Sequence, residues 1–241
     1  MWVIGHTAFA YLIVKPMFVF IKKELDPNLM LFVFIFANII DVLHFSFFRF
    51  YSHNLFGTVV FSVFWLLFFR KFEIIKKRDF IVLLFIVGTH IITDLVFSDY
   101  FILFPINKKP YSVYGLNSIE DLITESVFAM AFLLFFYHSR DFYKLKTFLS
   151  KEKKKFFNNL NFKAIFNPSI FTFYLFVAFY LFNAVQLSFF VITTLNELLK
   201  GSWYFWMFLI SFIAFFYVLT ILSFGGEKIQ NHPNHDRTFL I

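Results

Sequence analysis

Two histidine–aspartate pairs lie inside long apolar segments, at spacings that place both members of each pair on one helix face. His90 and Asp94 are four residues apart, and Asp41 and His44 are three apart. Side chains three or four residues apart lie on the same side of an α-helix. In a chain without cysteine, imidazole and carboxylate groups form a ligand set for Zn, Mn or Fe(II), or for a pair of such ions. The spacing therefore predicts a metal site.

More ionisable side chains lie in or beside these apolar segments, and they are His6, His53, Glu120, Asp121 and Glu125. Ionisable residues are costly inside a membrane and usually mark function. The last two apolar segments, 170–195 and 203–224, contain no charged residue and no histidine. The chain can therefore form apolar spans without ionisable residues, so the presence of such residues in the earlier segments requires its own explanation.

A bound divalent ion would offset the cost of keeping carboxylates in a medium of low dielectric constant. It would also lower the pKa of a bound water and supply hydroxide near neutral pH, and two ions could stabilise both oxygens of a phosphoester displacement. The predicted reaction is hydrolysis, with the substrate entering from the outer leaflet or the outer aqueous space. The predicted metal ligands are His6, Asp41, His53, His90 and Asp94. The residues predicted to complete the ligand shell or to transfer protons are Glu125, Glu120, Asp121 and His44.

The elements that must position these side chains are membrane helices. Of the 241 residues, 60% are hydrophobic and 15% are charged, against about 25% charged in a soluble domain. The apolar runs are long enough for a bilayer core of about 30 Å, and the alternating segments of a membrane barrel are absent. The sequence predicts an all-α, polytopic transmembrane bundle of about seven helices, at 3–21, 29–48, 54–70, 80–104, 119–137, 170–195 and 203–224.

Basic residues predict the orientation of the bundle. Seventeen of the 22 Lys and Arg residues fall on one side, four (Arg49, Lys108, Lys109 and Lys200) fall on the other, and Lys15 is undecided. Cytoplasmic loops carry the excess of Lys and Arg. This predicts a multi-pass protein of the cell (inner or plasma) membrane, with its N-terminus outside and its C-terminus in the cytoplasm. With a rise of about 1.5 Å per residue, the ionisable side chains then share one layer about 15 to 25 Å from the cytoplasmic helix ends.

Four regions follow from this topology. Residues 1–137 form a five-helix, hydrolase-like membrane core, 138–169 a basic cytoplasmic loop, 170–224 a two-helix extension, and 225–241 a polar cytoplasmic tail. The Lys-rich loop has two interpretations, a solvated loop or a surface helix on anionic lipid headgroups. Three glycines near the histidines, Gly5, Gly57 and Gly88, are predicted to allow close helix approach.

Some of the candidate residues also have purely structural interpretations. An isolated membrane histidine such as His6 could simply hydrogen-bond to a neighbouring helix. Glu120 and Asp121 could stabilise the start of the fifth helix, because acidic residues are favoured at helix N-termini. The pair His90 and Asp94 is harder to explain in this way, because both residues lie deep within one span.

The ordered motifs Gly5-His6-Thr7, Asn38-x-x-Asp41-x-x-His44, Arg49-x-x-Ser52-His53-Asn54 and Gly88-x-His90-x-x-x-Asp94 resemble those of the YdjM-like inner-membrane family. The resemblance covers about residues 1–135 and implies a metal-dependent membrane hydrolase. The order of ligands is also similar to that of zinc-dependent phospholipase C and P1-type nucleases. This chain departs from those patterns: Asn54 follows His53 where the membrane family has Ser, and Ser98 and Asp99 stand where the soluble enzymes have a further histidine.

The favoured cofactor is therefore one or two divalent ions, with Zn first and Mn or Fe as alternatives. The predicted partners are membrane lipids and a lipid or phosphoester substrate, and no nucleic acid. Two other functions fit the same residues. An ion- or proton-coupled transporter also needs membrane carboxylates and histidines, although the chain shows no internal repeat. A non-catalytic membrane scaffold would bind its partner through residues 138–169 instead.

Overall fold

The computed structural model describes residues 3–41, 53–97, 111–114, 118–158 and 168–224. These ranges contain eight helices and no strand, so the all-α prediction is confirmed. The helices are α1 (Val3–Phe20), α2 (Pro27–Asn38), α3 (Leu55–Lys71), α4 (Asp79–Phe97), α5 (Ile119–His138), α6 (Asp141–Asn158), α7 (Pro168–Leu199) and α8 (Trp203–Phe224).

Helix α2 lies at the centre of the bundle. Every residue from Leu29 to Asn38 is buried, and a helix that is apolar all round belongs in an interior. The Phe34 ring shows how it is enclosed, because it contacts Tyr11 of α1, Phe132 of α5 and Phe179 of α7 at centroid distances of 6.2, 5.7 and 6.5 Å. Helices from both halves of the chain therefore pack around α2.

Side-chain caps fix the starts of two helices that matter for the site. Asn54 Oδ1 accepts a hydrogen bond from the Gly57 N–H at 2.7 Å and caps α3. Ser118 Oγ accepts one from the Asp121 N–H at 3.1 Å and caps α5. Each cap pairs a backbone donor that the first helical turn would leave without a partner. The first cap also fixes the position of His53, which directly precedes Asn54.

Three of the described helices are long and apolar enough to cross a membrane: Asp79–Phe97, Phe171–Asn196 and Trp203–Ser223. This supports a membrane protein, but not all of the seven predicted spans. The second predicted helix, 29–48, is different, since α2 ends at Asn38 and 42–48 lie outside the described residues. At Gly88 a Cβ atom would meet nothing within 4 Å, so the prediction of a close helix approach there is wrong.

Part of the predicted basic loop is a helix. In α6 the side chains of Asp141, Leu145, Leu149 and Glu152 are buried, and their spacing of three to four residues makes one continuous face. This face packs against α2, α7 and α8. In the predicted two-helix extension, α8 packs along α5.

Candidate metal centre

Five side chains predicted as metal ligands come together at one end of the bundle. Their exposed fractions are 2% for His6, 5% for Asp41, 0% for His53, 1% for His90 and 2% for Asp94. His6 comes from α1, Asp41 follows the end of α2, His53 precedes α3, and the last two lie on α4. Four parts of the chain therefore deliver imidazole and carboxylate groups to one buried cluster, which we call the metal centre.

Both carboxylates of the metal centre face the same three imidazoles. Asp94 places Oδ1 3.3 Å from Nε2 of His6, and Oδ2 3.0 Å from Nε2 of His90 and 3.6 Å from Nε2 of His53. Asp41 places Oδ1 3.3 Å from Nε2 of His53 and 3.6 Å from Nε2 of His90, and Oδ2 3.9 Å from Nε2 of His6. It is the Nε2 atom of each histidine that faces the carboxylates.

A hydrogen bond on the other side of the ring holds a proton on Nδ1 of His90. Nδ1 of His90 lies 2.7 Å from the backbone carbonyl oxygen of Ala37. A carbonyl oxygen can only accept a hydrogen bond, so Nδ1 carries the proton and donates it. In a neutral imidazole the other nitrogen then has no proton. In the neutral ring, the Nε2 lone pair of His90 points at the carboxylates.

The same reasoning applies to His6. The hydroxyl of Thr93 donates its single proton to the backbone carbonyl of His90 at 2.9 Å. Nδ1 of His6 lies 2.9 Å from the same hydroxyl oxygen and donates to it when the hydroxyl proton goes to that carbonyl. In that tautomer, Nε2 of a neutral His6 has a lone pair that points at Asp94. Metal-binding histidines are usually oriented by this kind of hydrogen bond from the second ring nitrogen.

Imidazole nitrogens face two carboxylates in a buried site, and positive charge is needed between them. The His6 and His90 rings stack with centroids 4.0 Å apart, so charging both rings at once is unfavourable. A divalent ion supplies the charge to all the groups at once.

The distances leave room for such an ion. One ligand atom from each of His6, Asp41, His90 and Asp94 lies within 4.8 Å of the others. In a tetrahedral site, ligand atoms about 2.0 to 2.2 Å from the ion are about 3.3 to 3.6 Å apart. Binding would therefore draw the most separated side chains together by about 1 Å. The group can therefore hold a metal ion.

Substitution of Thr93 tests whether the orientation of the His6 ring affects metal affinity when no predicted ligand is removed. We expect Thr93→Val to weaken metal binding about 10-fold, because Nδ1 of His6 loses its acceptor and the ring its orientation. Thr93→Ser keeps the hydroxyl and should bind metal like the wild type. Competition with a chelator of known affinity measures both variants. Equal affinity in the valine and serine variants would show that the hydroxyl does not orient His6.

The three acidic residues of α5 differ in their burial. Glu120 is exposed, so the structure does not bring it to the metal centre. Asp121 and Glu125 are completely buried, but neither belongs to the group of ligand atoms within 4.8 Å of one another. His44, the remaining predicted residue, lies outside the described residues.

Ring contacts indicate the height of Glu125 along the bundle. Phe9 of α1 contacts Phe128 of α5 at 5.3 Å between centroids, and Tyr11 contacts Phe132 at 5.1 Å. The two helices therefore run in the same direction side by side. One turn earlier on each helix, His6 and Glu125 occupy the same level. Glu125 is thus the acid of α5 whose level best fits a role beside the metal centre.

Sequence reasoning missed two groups that orient ligands, the Thr93 hydroxyl and the Ala37 carbonyl. Thr93 lies three residues after His90 and so on its helix face, which is a signal that the sequence does contain. The Ala37 carbonyl belongs to the backbone, so no residue type marks it in the sequence. Asn38 was part of the motif, and its Nδ2 donates to Thr7 Oγ1 at 2.8 Å and to the Phe34 carbonyl at 2.9 Å.

The chain matches no protein-family model, no curated protein and no solved structure. The resemblance to the YdjM-like family therefore stays a prediction, and function is inferred from the metal centre itself.

Proposed function

We propose that the protein is an integral membrane, metal-dependent hydrolase that acts on a phosphoester or a phospholipid. One observation carries the proposal: the Nε2 atoms of His6 and His90 face the buried carboxylates of Asp41 and Asp94, while Nδ1 of His90 donates to the Ala37 carbonyl. This arrangement is unfavourable in a buried site without a cation and is well suited to binding one.

The donors fit borderline transition metals. Three imidazoles with two carboxylates, and no thiolate, suit Zn first, with Mn or Fe(II) as alternatives. Oδ1 of Asp94 faces His6 while its Oδ2 faces His53 and His90, so Asp94 is a central residue of the set that would hold such an ion. When bound, such an ion polarises a phosphoryl oxygen and activates water at neutral pH.

The protein residues supply orientation and proton transfer. The Ala37 carbonyl and the Thr93 hydroxyl hold two imidazoles in the tautomer that presents Nε2. Glu125, buried at the level of His6, is the proposed general base. Asp121 and His44 are further candidates for proton transfer. A general base must come within hydrogen-bonding reach of the group that it deprotonates, and Glu125 shares the level of His6 on the neighbouring helix α5.

The proposed substrate approaches from the extracytoplasmic side. His6 lies near the start of α1, His53 just before α3, and His90 and Asp94 near the end of α4, so the metal centre lies at one end of the bundle. The opposite end carries α6 and most of the described Lys and Arg residues, which the orientation rule assigns to the cytoplasm. With this orientation, a lipid substrate would reach the site from the outer leaflet.

The test is hydrolysis by the purified full chain. We expect a chelator to abolish cleavage of a chromogenic phosphodiester or of phospholipid in mixed micelles, and Zn, Mn or Fe(II) to restore it. Asp41→Asn should lower kcat/KM by at least about 100-fold, since it removes a metal ligand. Asp26→Asn is the matched control, because Asp26 is partly exposed and caps α2, and it should retain activity within about two-fold.

Two results would contradict the hydrolase. Metal binding without hydrolysis, together with ion-dependent flux in liposomes, would indicate the transporter instead. A protein that binds no metal, and in which replacing His90 and Asp94 together by apolar residues leaves stability unchanged or higher, would indicate a scaffold. Buried charges without a function are often neutral or costly to retain, which makes the second result informative.

A further inference from the structure

Helix α6 has an outward face that the metal centre does not use. Its inward face is formed by the buried residues Asp141, Leu145, Leu149 and Glu152. Tyr143, Thr147, Lys151 and Lys154 are exposed on the other side, and their spacing of three to four residues makes a single stripe. We call this stripe the outer face of α6.

The second half of α6 lies at the ends of two membrane spans. Phe156 contacts Phe173 and Tyr174 at centroid distances of 5.5 and 5.1 Å, close to the start of the span Phe171–Asn196. Lys153 Nζ donates to the Ser223 carbonyl at 3.4 Å, at the last residue of the span Trp203–Ser223. Because α7 and α8 begin and end there, this part of α6 lies at the level of the lipid headgroups.

Two ammonium groups of the outer face are available at that level. Lys155 pairs with Glu152 at 2.8 Å and Lys144 pairs with Glu24 at 3.3 Å. In the part of the chain that the structure describes, Lys151 and Lys154 form no ion pair. They are three residues apart, so their side chains are neighbours on the helix surface.

We infer that the outer face of α6 binds the anionic headgroups of the bilayer that α7 and α8 span, with Lys151 and Lys154 contacting lipid phosphates. The argument rests on charge complementarity at a fixed depth: cytoplasmic leaflets carry negative lipids that attract basic residues next to membrane spans. The buried inward face keeps the lysines pointing away from the bundle. This surface is independent of the proposed hydrolase, since none of its residues belongs to the metal centre.

Native mass spectrometry of the detergent-solubilised full chain tests the inference, with phosphatidylglycerol and phosphatidylcholine as probes. The wild type should retain the anionic lipid on the order of ten-fold more strongly than the zwitterionic lipid. The double variant Lys151→Gln and Lys154→Gln should lose most of that preference. Both lysines are exposed and glutamine is a good helix former, so helix content by circular dichroism should not change.

The matched control removes the same charge elsewhere on the predicted cytoplasmic side. Lys71 and Lys77 are exposed, near the connection between α3 and α4, and the double variant Lys71→Gln and Lys77→Gln should keep the preference. Equal retention of both lipids by the wild type would overturn the inference. So would an equal loss of preference in both double variants, because the attraction would then come from overall charge and not from α6.

Discussion

Replacing His90 by alanine should reduce tightly bound divalent metal to background, as measured by elemental analysis of the purified protein. His90 contributes the Nε2 atom that lies 3.0 Å from Asp94 and 3.6 Å from Asp41, and its ring stacks on His6. The alanine variant loses one ligand directly and the support of a second. Loss of an orienting partner alone typically costs 10- to 100-fold in metal affinity, so loss of a ligand should cost at least about 100-fold.

A second histidine offers a matched control for this measurement. His138 lies at the exposed end of α5, far along that helix from Glu125, and His138→Ala should keep the metal content of the wild type. Asp94→Asn should behave like His90→Ala, because Asp94 faces all three imidazoles. If the wild type carries no metal after purification in metal-supplemented buffer, or if His90→Ala retains it fully, the metal centre is not a metal site.

The largest stability effect is expected at a buried ion pair on the other side of the bundle. Lys15 Nζ lies 2.6 Å from Asp141 Oδ2, and the Tyr11 hydroxyl donates to the same oxygen at 2.8 Å. The side chains of Lys15 and Asp141 are only 11% and 0% exposed. Asp141→Ala would leave an ammonium group buried without its counter-ion, and breaking such a pair costs about 3 to 5 kcal/mol of unfolding free energy.

Reversible unfolding in mixed micelles, followed by circular dichroism, measures this loss. Lys15→Met combined with Asp141→Leu should cost less than the sum of the single changes, because no charge is then left alone. The control is the exposed pair of Lys76 and Asp26, 3.5 Å apart with side chains 59% and 40% exposed. Lys76→Met should change stability by less than about 1 kcal/mol. A similar small effect for Asp141→Ala would show that the buried pair does not hold α6 in place.

Much of the candidate site could be predicted because it follows from helix geometry and depth. The four-residue spacing of His90 and Asp94 fixes their shared face whatever the rest of the fold does. Counting residues from the predicted cytoplasmic ends brought His6 and Asp41 to the same level, and the structure places both beside that pair. Rise per residue is insensitive to packing details, which is why this reasoning works.

Properties that depend on helix rotation and on tertiary partners could not be predicted in the same way. Glu120 and Asp121 are adjacent in sequence, yet one is exposed and the other buried, because the Ser118 cap and the packing of α5 set which face turns inward. The sequence left Lys15 undecided, since its partner Asp141 is 126 positions away. The amphipathic pattern of α6 was visible, but its high Lys content equally suited a solvated loop.

The shortness of α2 has a consequence for how the metal centre could be altered. Ala37 lies in the last turn of a 12-residue helix, where backbone oxygens have no amide partner within the helix. His90 uses one of these orphan oxygens as its anchor. Extending α2 by another turn would add a backbone N–H that competes with His90 for the Ala37 oxygen. Such a change would free the imidazole to flip without altering any of the five predicted ligands.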